Sequence, residues 1–284
     1  MRGQVKILQK RIIAKKRRRA FLISLYSVFV LGLAISALSL ASHMRSMRID
    51  AIEISGNSRL SSASIDMIAR EKIAGNFMGL FSRSNAFLYP KDALVKALRA
   101  VPAISDVEIE RSGTKTLRIK VTERTEIALW CSGGVFDTSD CYSLDENGYI
   151  FARSSFLSSS TRPVIYRTVI EGEPLGKRFL DEGDFKNLRF FMGQLEGLSV
   201  EPKEVTISVN SYMTVHLGAG GKLITDMSDD LSVVLGNIAA IISDKSVAPS
   251  LSRFLEELDY IKLDSGNKVV YKLKARPGAF APVE

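Results

Sequence analysis

Chemically versatile residues are scarce in this 284-residue chain, which holds two cysteines, two histidines and one tryptophan. The histidines, His43 and His216, stand far apart, and neither has a partner visible in the sequence. A structural zinc site takes four ligands, which Cys131, Cys141 and two distant histidines do not supply. The cysteines are not a C-x-x-C pair, so reactive thiol chemistry is disfavoured. No Ser/His or Cys/His pair suggests itself for nucleophilic catalysis, and only paired carboxylates stay open for an enzyme acting on envelope polymer. No cofactor or metal is expected.

Charge and proline are missing from Ala20 to Ser42, a run of 23 residues. As a helix it rises about 34 Å, enough to cross a bilayer core of roughly 30 Å. A cleavable signal has a shorter apolar region, about 7 to 15 residues, so an uncleaved anchor is the expectation, although Ala37, Ser39 and Ala41 supply small residues near its end. Acid is missing from the arm that precedes it. That arm carries Arg2, Lys6, Lys10, Arg11, Lys15, Lys16, Arg17, Arg18 and Arg19, nine of the 39 basic residues. The rest of the chain holds 30 basic against 31 acidic residues, so the formal charge of +8 belongs to the arm. By the positive-inside rule residues 1–19 are a cytoplasmic basic arm, residues 20–42 a transmembrane helix, and the body lies outside the cell membrane, a single-pass type II arrangement. A neutral body lacks the electrostatic footprint of a nucleic-acid binder. In an oxidising compartment Cys131 and Cys141 read as a disulfide, closing a loop of about 11 residues and contributing roughly 2 to 3 kcal/mol.

The body begins with an alternating strand over Arg48 to Ser55 and a turn at Gly56-Asn57. Ser61 or Ser62 caps a helix bearing Ile65, Ile68, Ala69 and Ile73. A looser stretch, Asn76 to Tyr89, exposes Phe77, Met78, Leu80, Phe81, Phe87 and Leu88. Pro90 opens a second helix with Leu94, Ala97, Leu98 and Val101 on one stripe. Two strands follow, with Val107 and Ile109 facing Leu117, Ile119 and Val121. Their apolar rows meet only if paired numbers sum to an even value, so the turn around Gly113 should hold three or five residues. Acids on the first strand then oppose Arg118 or Lys120. The order strand, helix, helix, strand, strand predicts an α+β module with both helices on one face of a three-stranded sheet.

From Trp130 the chain turns β-rich. Asn147-Gly148 predicts a hairpin within Tyr142 to Ala152; a calcium loop there fails for want of repeated oxygen ligands. Ser154 to Thr161 reads as a serine-rich loop and Val164 to Ile170 as a strand. Phe185, Leu188, Met192 and Leu195 mark an amphipathic helix. Strands are expected at Val205 to Val209, Tyr212 to Leu217 and Lys222 to Asp226. A helix from Leu231 to Ile242 is too short for a second span, and Leu251 to Leu258 makes another short helix. The close is Leu258 to Leu263, a turn at Gly266-Asn267, a strand over Lys268 to Ala275, and a frayed tail over residues 276–284. As the last strand of an open sheet, the segment Lys268, Val269, Val270, Tyr271, Lys272, Leu273, Lys274 is expected at an edge, where unpaired N–H and C=O groups template an added strand. The competing reading is that Lys272 and Lys274 discourage such pairing.

Several residues in this order resemble the FtsQ/DivIB family of bacterial cell-division proteins. They are Ile54-Ser55-Gly56-Asn57, Pro102 ahead of Val107 to Arg111, and Val121-Thr122-Glu123-Arg124 leading into Ala128-Leu129-Trp130, similar to the family's V-x-E-R-x-x-x-A-x-W junction. Asp145 to Gly148 matches its D-x-x-G. The resemblance implies a POTRA domain at residues 48–124 and a β domain with an antiparallel sheet and flanking helices at residues 125–275. It also implies a non-enzymatic scaffold of the divisome in the inner membrane. Its terminal edge would take a strand from the coiled-coil protein FtsB, which works with FtsL, and its POTRA domain is implicated in recruitment, through an FtsK-like protein. Tyr260, Ile261 and Leu263 agree with the family's Y-I-D-L-R, whereas Lys262 and Asp264 reverse its charges. A POTRA module serving β-barrel chaperoning or translocation would bring tandem copies and a barrel, and the sequence shows one copy and no barrel.

Overall fold

The chain packs as two compact units, Met1–Glu123 and Arg124–Glu284, in a computed structural model that describes residues 2–154, 163–264 and 268–274. In the first unit, helix α1 (Arg2–Ser42) is continuous for 41 residues, about 60 Å. Within it Lys16–Ser42 is long and apolar enough to cross a membrane, with a mean hydropathy of 2.3. A short turn leads to β1 (Ala51–Ser55), α2 (Ser62–Ile73), a small hairpin of β2 (Asn76–Phe77) and β3 (Phe81–Ser82), α3 (Lys91–Arg99), β4 (Ile104–Ser112) and β5 (Thr116–Glu123). The sheet order is β1-β5-β4, with β1 parallel to β5 and β4 antiparallel to it.

Local chemistry accounts for these elements. Ser61 Oγ accepts the Ser64 N–H at the start of α2, satisfying one of the donors a helix start leaves unpaired. Val107 pairs with Val121 and Ser112 with Thr116, so the turn holds three residues and the numbers sum to an even value, as the facing apolar rows require. Ile65, Ala69, Leu94 and Leu98 from the helices meet Val107, Ile109, Leu117, Ile119 and Val121 in one core. On the polar face Lys120 bonds Glu108 at 3.0 Å, but Arg118 turns from Glu110, which it opposes, to Glu53 of β1 at 2.8 Å. A strand in the middle of a sheet has two neighbours, and the sequence offers no way to rank them. The looser stretch contains the β2–β3 hairpin, which two-residue strands do not announce.

Among the described residues the second unit is built on one nine-stranded sheet. Its strands are β6 (Ala128–Cys131), β7 (Cys141–Leu144), β8 (Ile150–Arg153), β9 (Ile165–Arg167), β10 (Pro202–Ile207), β11 (Tyr212–Leu217), β12 (Lys222–Asp226), β13 (Leu258–Asp264) and β14 (Lys268–Leu273). Helices α4 (Glu182–Gly197), α5 (Leu231–Ser243) and α6 (Leu251–Glu257) interrupt them, and the order across the sheet is β14-β13-β12-β11-β10-β9-β6-β7-β8. Five joins are antiparallel, but β6/β9, β9/β10 and β12/β13 are parallel, so the sheet is mixed rather than wholly antiparallel. Two of these parallel joins follow from crossovers: α4 carries the chain from β9 to β10, and α5 with α6 carries it from β12 to β13. The apolar stripes of α4, α5 and α6 cover one face, where Phe185, Leu188, Val234, Ile238 and Phe254 join the buried residues of the strands. The expected Gly266-Asn267 turn, most of the serine-rich loop and the tail lie outside the described residues.

Candidate functional site: the terminal sheet edge

Among the described residues β14 has one neighbour, β13, and forms one end of the sheet. Ile261 pairs with Tyr271, Lys262 with Val270 and Leu263 with Val269. The Lys274 N–H donates to the Glu257 carbonyl at 2.7 Å. Because backbone groups alternate sides along an antiparallel strand, those of Val270 and Lys272 also face β13, and the N–H and C=O groups of Val269, Tyr271 and Leu273 face outward. These form a row of donors and acceptors at the spacing an added strand needs.

The side chains shape that edge. Tyr271 lies edge-on to Phe254 of α6, with ring centroids 5.9 Å apart, and Val269 packs against the core. Val270 and Leu273 remain exposed. Both lysines are drawn back onto their own unit. Lys272 Nζ lies 3.1 Å from Asp259 and Lys274 Nζ donates to the Glu256 carbonyl at 2.8 Å, so neither ammonium has to project across the edge. Lys262, where the family pattern carries an acid, sits with its ammonium 5.9 Å from the Tyr212 ring. Lys268 is the first residue of β14 and pairs with Asp264.

At the opposite side of the same sheet, Cys131 and Cys141 are directly paired across β6 and β7 and joined as a disulfide, with Cα atoms 4.1 Å apart. The loop that they close is pinned by an ion pair that the sequence does not announce. Arg167 and Glu204 are both buried, with Nε to Oε1 at 2.7 Å. Arg167 also donates to the carbonyls of Gly133 and Asp137, and Glu204 accepts the Phe136 N–H at 3.0 Å. Glu204 lies just before the strand expected from Val205; β10 starts earlier, at Pro202, and the disulfide loop covers the Glu204 carboxylate. His216 sits in β11 with its ring edge-on to Phe136 at 5.6 Å. Burial lowers its pKa, against an opposing pull from Glu204. Among the described residues no group of three His, Cys, Asp or Glu is placed to hold a metal.

The motif residues acquire physical roles. Gly56 has φ +83°, and a Cβ there would lie 2.1 Å from the Val121 carbonyl oxygen. Glu123 reaches back to the same turn and accepts the N–H groups of Ser58, Arg59 and Leu60 at 2.8 to 2.9 Å, and the Ser58 hydroxyl at 3.0 Å. Burial disfavours its charge, but these donors outweigh that and hold its pKa below the usual carboxylate value. Arg124 pairs with Asp145 and lies over the Tyr149 ring, while Asp145 Oδ1 accepts the N–H groups of Asn147 and Tyr149, both at 2.9 Å. Gly148 completes the turn at φ +72°, with Phe185 3.0 Å from where a Cβ would stand. Trp130 is buried against Tyr142.

The Glu123 arrangement predicts an acid sensitivity. A carboxylate with a depressed folded pKa contributes stability above its ordinary pKa and loses it as pH falls through the folded value. Exchange protection of the Ser58, Arg59 and Leu60 amides should therefore weaken as pH is lowered below the ordinary carboxylate range, after correction for intrinsic exchange. Glu123→Gln should lower protection at pH 7 and flatten that acid dependence. An unchanged dependence in the variant would contradict it.

Residues 47–124 match the family described as POTRA domain, FtsQ-type. No curated protein matches the chain. Residues 47–124 are thus an FtsQ-type POTRA domain directly behind a long apolar helix, the one such helix among the described residues, and this arrangement supports an FtsQ/DivIB-like protein.

Proposed function

We propose that the protein is a bitopic scaffold of the bacterial divisome that does no chemistry itself and links early and late division proteins to septal wall synthesis. The observation that carries this reading is the FtsQ-type POTRA domain. The basic arm orients α1 with its N-terminus in the cytoplasm and the body outside the inner membrane. The edge strand Lys268–Leu273 takes up a strand from a coiled-coil division protein of the FtsB kind, itself joined to FtsL, and an FtsK-like protein engages the POTRA domain. Outward backbone groups at Val269, Tyr271 and Leu273 and the retracted lysines support strand addition at this edge. It depends on backbone pairing and so tolerates the reversed charges at Lys262 and Asp264.

A photoreactive side chain at Tyr271, activated in dividing cells, should join the protein to a coiled-coil division protein. Adducts that contain no such protein would overturn the proposed role of this edge.

A further inference from the structure

The first unit exposes large apolar side chains in one place. After α1, its exposed large hydrophobics among the described residues are Met44, Met67, Phe77, Met78, Leu80, Phe87 and Leu88. All but Met67 come from the segment leaving the anchor or from residues 74–91. Met78 is 82% exposed at the tip of the β2–β3 hairpin with φ +50°, in a turn where Gly or Asn would meet less strain.

Hydrogen bonds fix this cluster to the end of the anchor. Ser39 Oγ donates to the Leu80 carbonyl at 2.6 Å, Ser42 Oγ accepts the Ser82 N–H at 3.2 Å, and Asn85 Nδ2 donates to the Ser42 carbonyl at 3.0 Å. Going back from Ser82 to Leu80 thus follows the helix back from Ser42 to Ser39. The tip, Met78-Gly79, therefore points along α1 toward its lipid-spanning part. About 20 residues from Ala20 fill the hydrocarbon core, which puts Ser39 at its boundary. Phe87 and Leu88 follow Asn85 by two and three residues and are tied to it, the Phe87 N–H by the Asn85 side-chain oxygen and the Leu88 N–H by the Asn85 carbonyl. Residues 42–49 and 74–91 together hold Arg45, Arg48, Arg83 and Lys91 and no acid. The Arg111 guanidinium lies over the Phe87 ring, 4.2 Å from its centroid. Apolar tips carried on segments with this excess of basic residues match the boundary between acyl chains and phosphate headgroups.

We propose that the Phe77–Leu80 hairpin, with Phe87 and Leu88, inserts into the membrane interface beside the anchor, so that the POTRA unit rides on the lipid surface in a set orientation. The inference rests on α1 being a membrane anchor. Insertion fixes which face of β1-β5-β4 and of its helices is open to partners.

The test uses the full chain in vesicles of phosphatidylethanolamine and phosphatidylglycerol. The described residues have no free cysteine, so single nitroxide labels can be placed through Met78→Cys, Leu88→Cys, Leu31→Cys in the anchor, and Arg59→Cys beyond the far end of β1. Collision with oxygen reports lipid, and collision with a water-soluble nickel chelate reports solvent. Labels at positions 78 and 88 should be several-fold richer in oxygen than nickel collisions relative to the label at 59, as the label at 31 is. Nickel access at 78 and 88 equal to that at 59, with 31 still shielded, overturns the inference and leaves the anchor standing. Nickel access at 31 overturns both. Shielding of 78 and 88 from both reagents marks a protein contact, a second copy included, and also overturns it.

Discussion

Gly56→Ala is expected to unfold the POTRA unit. The residue follows β1, which pairs in parallel with β5, and its φ of +83° lies where an L side chain is strained, by about 1 to 2 kcal/mol. The larger effect is steric. The new Cβ would stand 2.1 Å from the Val121 carbonyl oxygen, a backbone atom of β5 that has no rotamer to move into. Relief requires the end of β1 to lift from the sheet, which also pulls Ser58, Arg59 and Leu60 off the Glu123 carboxylate. Losing both costs upwards of about 4 kcal/mol, much of the stability of a small domain. Gly113→Ala is the control, because Gly113 has φ +69° but nothing within 4 Å of where its new methyl would stand; it should cost only about 1 kcal/mol. Amide exchange across residues 47–124 of the full chain measures both. Equal protection in the two variants would contradict the role given to Gly56.

Glu204→Ala should be the most damaging single charge removal in the second unit. It leaves the Arg167 guanidinium buried with only the Gly133 and Asp137 carbonyls for partners, and it orphans the Phe136 N–H. Removing one member of a buried ion pair typically costs about 3 to 5 kcal/mol, whereas replacing both by apolar residues is often close to neutral. Arg167→Met with Glu204→Leu should therefore unfold at a urea concentration nearer the unaltered protein than Glu204→Ala does. A single variant within about 1 kcal/mol of the unaltered protein would contradict this, as would a double variant no better than the single. The experiment needs the oxidised protein, since the same loop is tied at its base by Cys131 and Cys141.

These two sites show which kinds of information a sequence carries. Gly56 stands out as part of Ile54-Ser55-Gly56-Asn57, and turn chemistry explains a glycine there, but the close approach of Val121 is a contact 65 positions away. The even register of β4 and β5 was legible because a short turn and two alternating rows constrain it completely. The helices were legible from their stripes. Glu204 was not, since the strand was expected only from Val205 and nothing in the sequence says that the disulfide loop covers the residue before it. The parallel joins were hidden for a related reason. A hairpin names its partner by adjacency, but β9, β10, β12 and β13 meet through helical crossovers. The pairing of β14 with β13 was legible because the two are adjacent in the chain and joined by a short turn signal, whereas the attachment of the β2–β3 hairpin to Ser39 and Ser42 depends on side-chain bonds between distant segments.

Strand addition at the terminal edge is the claim on which the scaffold account turns. Amide exchange of the full chain in bilayers, measured residue by residue with and without an FtsB-like coiled-coil segment, tests it most directly. Pairing must protect the outward amides of Val269, Tyr271 and Leu273 while changing little at Val270 and Lys272, whose amides already face β13. Uniform protection along β14, or none, would contradict strand addition at this edge.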